Sequence, residues 1–497
     1  MKKFYSFVLL FCSCIAAFSQ ATLLFNNGAG IYVKNGGFMI VKTSSAYNHN
    51  DQLGNIGTID NQGTIVVEGD VKNDAVINGT GDLIRLQGNW INNNAYTGNN
   101  SEVEMYGGNQ LITGTAVTTF DNLNLTGGAV VKKQTINAVT AGTLKLNDAE
   151  LATDVNEMWV SNTNTGAITR NTGFVSSVNP GYLSRSTNSV SGYLYPTGSP
   201  SYVNPPSLFR PIQMTPAGAG ADIYSVCMVK GDATADGYDV SVFDTSLCKV
   251  NPVFYHRLYH GTGNDNPDIT MYFDPSNDGA WTDEAHWKNN LWNYIGASTP
   301  GNGFGFSTVT VNGVSDFTPN PFALARKKFK VVAGPGVNIY EGQSTVFNPN
   351  IGITGGNILW SPDVALSCDN CESPTASPAV TTEYTITVTD AAGCKASDSL
   401  LVTILNGELL VPTGFSPNGD GVNDRFRVLN KNLSKVDLQV FNRWGEKVFE
   451  TTDLFDGWDG TYKGMQQELG VYVWQCNYTL AGDTKNKFAK GNVTLVR

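Results

Sequence analysis

Short runs in which apolar and polar residues alternate dominate the chain, and in its first third they repeat. Thr64-Ile-Val-Val-Glu-Gly69-Asp-Val-Lys-Asn73 matches Leu83-Ile-Arg-Leu-Gln-Gly88-Asn-Trp-Ile-Asn92, with Gly69 and Gly88, and Asn73 and Asn92, each 19 positions apart. The same offset reaches Val103-Glu-Met105-Tyr-Gly107, and steps of 20 and 21 reach Leu123-Asn-Leu125-Thr-Gly127 and Leu144-Lys-Leu146-Asn147. Alternate residues of a strand share a face, so each unit is a short strand with one apolar side. Gly or Asn closes it, because both tolerate the left-handed backbone of a tight corner. A period near twenty with one strong strand per unit predicts a parallel β-solenoid over residues 20–156, whose coils stack around a continuous apolar column. Ile84, Leu86, Val103, Met105, Leu123, Leu125, Leu144 and Leu146 form that column, and Asn61, Asn73, Asn92 and Asn93 occupy turns where amides can bond from coil to coil. Ile31–Val33 and Gly57–Ile59 read as degenerate first coils. An antiparallel hairpin stack is the alternative.

From about Glu157 the repeat fades into alternating segments split by Gly, Pro and Asn, such as Tyr193-Leu-Tyr-Pro196-Thr-Gly198 and Ile223–Val229. Irregular spacing without a helical period predicts an antiparallel β-sandwich over 157–326, with Ala325-Arg-Lys-Lys-Phe329 as a polar linker. Residues 327–406, with Trp360, the alternating Thr382–Asp390 and the returning Asp398–Ile404, read as a small immunoglobulin-like module. The pattern resembles the polycystic-kidney-disease-like spacers of bacterial surface proteins. The expected fold class is all-β, with a parallel β-solenoid, a β-sandwich, an immunoglobulin-like module and a C-terminal β-sandwich over 407–497 in tandem.

Residues 407–497 carry the most specific motifs. Val411-Pro412-Thr-Gly-Phe415-Ser-Pro417-Asn418-Gly419-Asp420-Gly421-Val-Asn423-Asp424 opens the segment, and Leu438–Phe441 leads into Asn442-Arg443-Trp444-Gly445 at a predicted turn. Trp458-Asp459-Gly460 and Gly470-Val-Tyr472-Val-Trp474 follow, then Lys490-Gly491 and the run to Arg497. Period two sets Tyr472 and Trp474 on one face. These five motifs in order resemble the gliding-motility-associated C-terminal domain of Bacteroidetes, the type B sorting domain of the type IX secretion system. The resemblance implies a cargo recognised by the type IX translocon, with an outer-membrane barrel accessory protein as a further partner. It also implies release, or retention on the exterior of the outer membrane. It implies nothing about residues 20–405.

Composition supports export and narrows the chemistry. Lys2 and Lys3, an apolar run from Phe4 to Phe18, and Ala17-Phe18-Ser19 predict a signal peptide over residues 1–19; a lipoprotein reading of Cys12 and Cys14 lacks a good lipobox. The formal net charge is −11, and loss of residues 1–19 removes two lysines and no acid. An acidic chain repels polyphosphates, so nucleic acid is not an expected partner. Only 15% of residues are charged and Gly contributes 53 of 497, as turn-rich β structure requires. Beyond the leader, an even set of cysteines in an oxidising compartment predicts disulfides, with Cys227–Cys248 and Cys368–Cys371 as the candidate pairs.

Candidate reactive groups are sparse. Asn418, Asp420, Asn423 and Asp424 are oxygen ligands suited to calcium, against the alternative of a turn held by its own side chains; counted from Asn418, the twelfth position is Leu429, so the EF-hand pattern fails. Asp265, Asp268, Asp274, Asn277 and Asp278 form a second acidic stretch. His256 and His260 have metal-ligand spacing, but Arg257 stands where a zinc protease needs Glu. Solenoids also serve polysaccharide lyases and hydrolases, yet Asp82, Glu102 and Glu104 do not converge, and Tyr106 and Trp90 are the aromatics available to stack on sugar. The expectation is a non-enzymatic adhesin or structural stalk without catalytic residues or cofactor beyond calcium. Alternatives are a carbohydrate-binding or carbohydrate-active protein, or a structural component of the envelope or secretion apparatus.

Overall fold

The computed structural model describes residues 24–26, 28, 30–41, 52–203, 205–296, 298–405, 409–429, 433–480 and 485–497. The predicted signal peptide, with Cys12 and Cys14, lies outside the described residues. The chain forms two units, divided after Lys327.

The first unit begins with a parallel β-solenoid of about seven turns. Each coil gives one strand to each of three faces. One face runs Phe38–Val41, Thr64–Val67, Leu83–Leu86, Glu102–Met105, Asn122–Leu125, Leu144–Asn147 and Ile168–Arg170. Along it Ile65, Ile84, Val103, Leu123 and Leu144 stand in parallel register, as do Val67, Leu86, Met105 and Leu125. All are almost fully buried, each contributing roughly 2 kcal/mol of apolar burial. The predicted column is therefore present, and Ile31 and Ile59 pair as the first coils.

Buried amides extend the repeat. Asn26 Nδ2 donates to Asn55 Oδ1 at 2.9 Å, Asn55 to Asn73 at 3.0 Å, and Asn73 to Asn92 at 2.8 Å. Only Asn73 and Asn92 of the four predicted asparagines belong to this ladder. Asn61 bonds Asp82 instead, and Asn93 bonds Asp74 at 2.6 Å. The ladder stops at Asn92 because its partner in the next coil is Gly114. A Cβ there would lie 1.9 Å from the Asn92 carbonyl oxygen.

The solenoid does not end at residue 156. Glu157–Val160 pairs in parallel with Tyr182–Thr187, and Phe174–Ser177 with Thr197–Gly198. Tyr182–Thr187 then pairs antiparallel with Asp222–Lys230, so one sheet is a solenoid face on one side of that seam and a sandwich sheet on the other. Asp222–Lys230, Phe254–Thr262, Pro321–Lys327 and Asp283–Lys288 continue it. A second, antiparallel sheet of Tyr193–Tyr195, Ile212–Thr215, Asp268–Phe273, Phe306–Val311 and Ser298–Gly303 packs against it. One apolar core runs from Val33 to Leu324. The expected division at 156/157 fails because alternation marks a strand but not whether its neighbour runs parallel or antiparallel. The expected linker also begins too early: Ala325 is buried in the strand Pro321–Lys327.

In the second unit, residues 331–404 surround Phe347, Trp360 and Tyr384 with a four-stranded sheet and a two-stranded ribbon. Residues 409–497 hold a separate core.

Candidate functional site

The C-terminal module is a five-stranded sheet in the order Gly414–Phe415, Lys487–Leu495, Gly470–Leu480, Leu433–Phe441 and Lys447–Thr451. As predicted, Tyr472 and Trp474 point inward on one face, while Val471 and Val473 point out. Trp458 is fully buried, donates Nε1–H to the Thr461 carbonyl at 2.8 Å, and meets Tyr472 edge-on at 4.6 Å and Phe415 at 5.3 Å. Tyr472 is held from its other end by a hydroxyl donated to the Glu468 carbonyl at 2.8 Å. Asp459 accepts from the Thr461 N–H and hydroxyl; partial burial raises its pKa, but these bonds outweigh it and leave the carboxyl below its ordinary value.

Two glycines show why their motifs exclude side chains. Gly491 lies opposite Trp474, where a Cβ would sit 2.7 Å from the indole. Gly460 has φ 75°, and a Cβ would meet Leu495 and Pro417 at 3.1 Å.

The opening loop is held by its own side chains. Asp424 takes the Gly419 N–H at 2.7 Å and the Gly421 N–H at 2.8 Å, one on each carboxylate oxygen. Asp420 accepts from Val422 N at 2.7 Å, a bond that lowers its pKa, and Asn418 accepts from Asp420 N at 3.0 Å. Asn423 adopts φ 54°. Among the described residues no three His, Cys, Asp or Glu side chains are placed to hold a metal ion.

Other motif residues have no role in the core. Asn442 caps its turn by accepting from the N–H groups of Trp444 and Glu446, both at 3.0 Å, and Gly445 completes it with φ 80°. That turn presents Trp444 at 85% exposure. Beside it lies a depression of about 500 Å³ between Asn442–Trp444 and Gln466–Tyr472, Gly470 included. Arg443 pairs with Glu468 at its edge, and Arg497 Nη2 donates to the Gln467 carbonyl at 3.3 Å. Lys490 is exposed opposite Gln475, and Pro412 is half-buried. Phe426, fully buried and bonded through its backbone to Trp458, was missed, though alternation with Val428 marks it.

Elsewhere the structure corrects several expectations. Cys368 and Cys371 form a disulfide with a Cα–Cα distance of 5.9 Å. Cys227 is instead a free, fully buried thiol whose pKa burial pushes up to about 12. Cys227 pairs across the sheet with Arg257 of Phe254–Thr262, whereas Leu247–Val250, which holds Cys248, pairs with a different stretch, Ala325–Lys327, so the two cysteines are not set opposite each other. Trp90 is not a surface aromatic: it is fully buried against Tyr96 and Phe120, and the Arg85 guanidinium covers Tyr106 at 4.9 Å.

His256 and His260 do not share a ligand. Burial lowers His256 to about 4, and its ring bonds the Arg210 carbonyl at 2.9 Å, whereas His260 bonds Asp222 at 2.8 Å. In the second acidic stretch Asp278 makes a buried pair with Arg210, Asp274 caps Ser276, and Asp265 accepts from Gly218 N.

No curated protein matches this sequence. Among solved structures, the first two cadherin repeats of human mucin-like protocadherin align at 7% identity over 33% of this chain and 97% of theirs, with a TM-score of 0.16. Dimeric latent PorU from Porphyromonas gingivalis aligns at 11% over 50% of this chain and 26% of its own, with a TM-score of 0.14, so this chain spans about a quarter of that one. Such scores carry no argument about fold or function. Residues 409–495, however, match the family model described as the CHU_C Type IX secretion signal domain, the match that supports a type IX secretion cargo, secreted or held at the cell surface.

Proposed function

We propose that this chain is exported by the type IX system to present its first unit outside the cell as a non-enzymatic adhesive or structural body. The single observation that carries the reading is the secretion signal match over 409–495. Further support comes from what the polar groups of the first unit do. Arg210 and Asp278, His260 and Asp222, and Arg85 and Glu104 are paired with each other, and Glu284 is sealed in the core. The outer-membrane translocon, and a barrel accessory protein beside it, are the partners of the C-terminal module. Deleting residues 409–497 is expected to leave the chain in the periplasm by cell fractionation; unchanged appearance outside the cell would overturn the export reading. A second reading, glycan binding by the same unit, is favoured by a row of aromatic and hydroxyl side chains on the sheet that joins solenoid to sandwich.

A further inference from the structure

The parallel-to-antiparallel seam of that sheet carries a trough. Strand register sets Val139, Trp159, Ser184, Ser225 and Tyr259 in one line across five neighbouring strands. Met158, Leu183, Val226 and Leu258, their chain neighbours, point into the core, so the line faces the other way. Ser225, only 5% exposed, and Glu157 floor a depression of about 480 Å³ between Trp159 and Tyr259, with Tyr182 and Asn156 on its walls and Ser184 fully buried beneath. Tyr259 is 46% exposed. The Trp159 indole is fixed by Nε1–H donation to Ser186 Oγ at 3.0 Å.

The floor has a definite polarity. Ser184 Oγ donates to Glu157 Oε1, which uses its one proton. Ser184 and Ser225 hydroxyls are 2.7 Å apart, so Ser225 must donate to Ser184. On the floor, what remains for a ligand is the lone pairs of Ser225 and the second oxygen of Glu157, both acceptors, while the Tyr182, Tyr259 and Thr262 hydroxyls around it can donate or accept. The floor therefore favours groups that donate, and a phosphate, sulfate or carboxylate seated on it would set acceptor against acceptor beside the Glu157 carboxylate. Trp159 and Tyr259 stand three strand spacings apart, about 14 Å between backbones, a span that suits an extended ligand better than a single small cation. An extended ligand that alternates apolar faces with hydroxyl donors matches both the spacing and the polarity.

We infer that this trough binds a neutral polysaccharide chain lying across the strands, with Tyr259 and Trp159 as stacking platforms and Ser225 and Glu157 accepting from sugar hydroxyls. The inference rests on the reading of the first unit as a non-catalytic body outside the cell.

The test is titration calorimetry of the purified full chain with cellohexaose, xylohexaose and mannohexaose, with polygalacturonate and choline as anionic and cationic comparators. At least one neutral hexasaccharide is expected to bind, with affinity falling at least tenfold in Tyr259→Ala. Because Tyr259 is half exposed, that variant should melt as the parent does, and Glu157→Gln provides a second variant of the same floor. Failure of all three neutral sugars, preference for polygalacturonate or choline, or unchanged affinity in both variants would overturn the inference. Release of new reducing ends in the same mixtures would overturn the non-catalytic reading while leaving the trough as the binding site.

Discussion

In the solenoid the buried side chains of one face recur about every twenty positions in like chemical kind, whereas the core of the C-terminal module is assembled from unlike side chains on strands that do not repeat. Ile84 rests between Ile65 and Val103, chemically alike and in register. Trp458 rests among Phe415, Phe426 and Tyr472, each from a different part of its module. Repetition spreads stability over nearest-neighbour contacts. The aromatic cluster concentrates it in a few residues, and those residues are the motifs. The sorting motifs are thus largely a recipe for a fold, and only their exposed members, such as Arg443 and Trp444, remain to be read by another molecule.

Substitutions sharpen this contrast, with hydrogen exchange on the full chain resolving the two units. Trp458→Ala should be the most damaging, at roughly 3–5 kcal/mol for a buried aromatic. Its loss of protection should cover residues 409–497 and leave the solenoid unchanged; protection lost equally in both units would remove the distinction. Asn73→Ala should cost about 2–4 kcal/mol, because it strips partners from Asn55 and Asn92. Exposure is expected to centre on the adjoining coils rather than spread evenly.

A smaller, pH-dependent effect belongs to Glu284. Burial holds its carboxyl well above the ordinary 4.5. Its contribution is full below that ordinary value and is lost as pH rises through the folded one, since the unfolded chain then holds fewer protons. Glu284→Gln should therefore raise the melting temperature of the first unit more at pH 8 than at pH 5; a constant difference would mean the carboxyl is not protonated in the fold. Trp444→Ala should change stability by no more than about 0.5 kcal/mol, as for an exposed residue without fold contacts. A loss well beyond that would place Trp444 among the residues that hold the module together.

What the sequence reveals follows the same division. The solenoid column was legible because a repeat supplies its own alignment, and register then follows from the offset. The ladder was half legible: Asn73 and Asn92 lie inside the clear repeat, while Asn26 and Asn55 belong to coils whose spacing had drifted. The join between solenoid and sandwich left no mark, since Tyr182–Thr187 alternates in the same way whichever neighbour it faces. The Cys227–Cys248 pairing fails for a related reason, because nearness along the chain says nothing about which stretch of a sheet each strand pairs with. The trough was invisible for want of register: Trp159, Ser184, Ser225 and Tyr259 span 101 positions and meet only through strand pairing.

The division of labour is tested most directly by moving the module. A signal-peptide-bearing reporter that normally stays in the periplasm, fused to residues 405–497, should appear outside the outer membrane of a cell with an intact type IX system and remain inside one without it. A fused reporter that stays in the periplasm of both cells would contradict the claim that these residues suffice as the address.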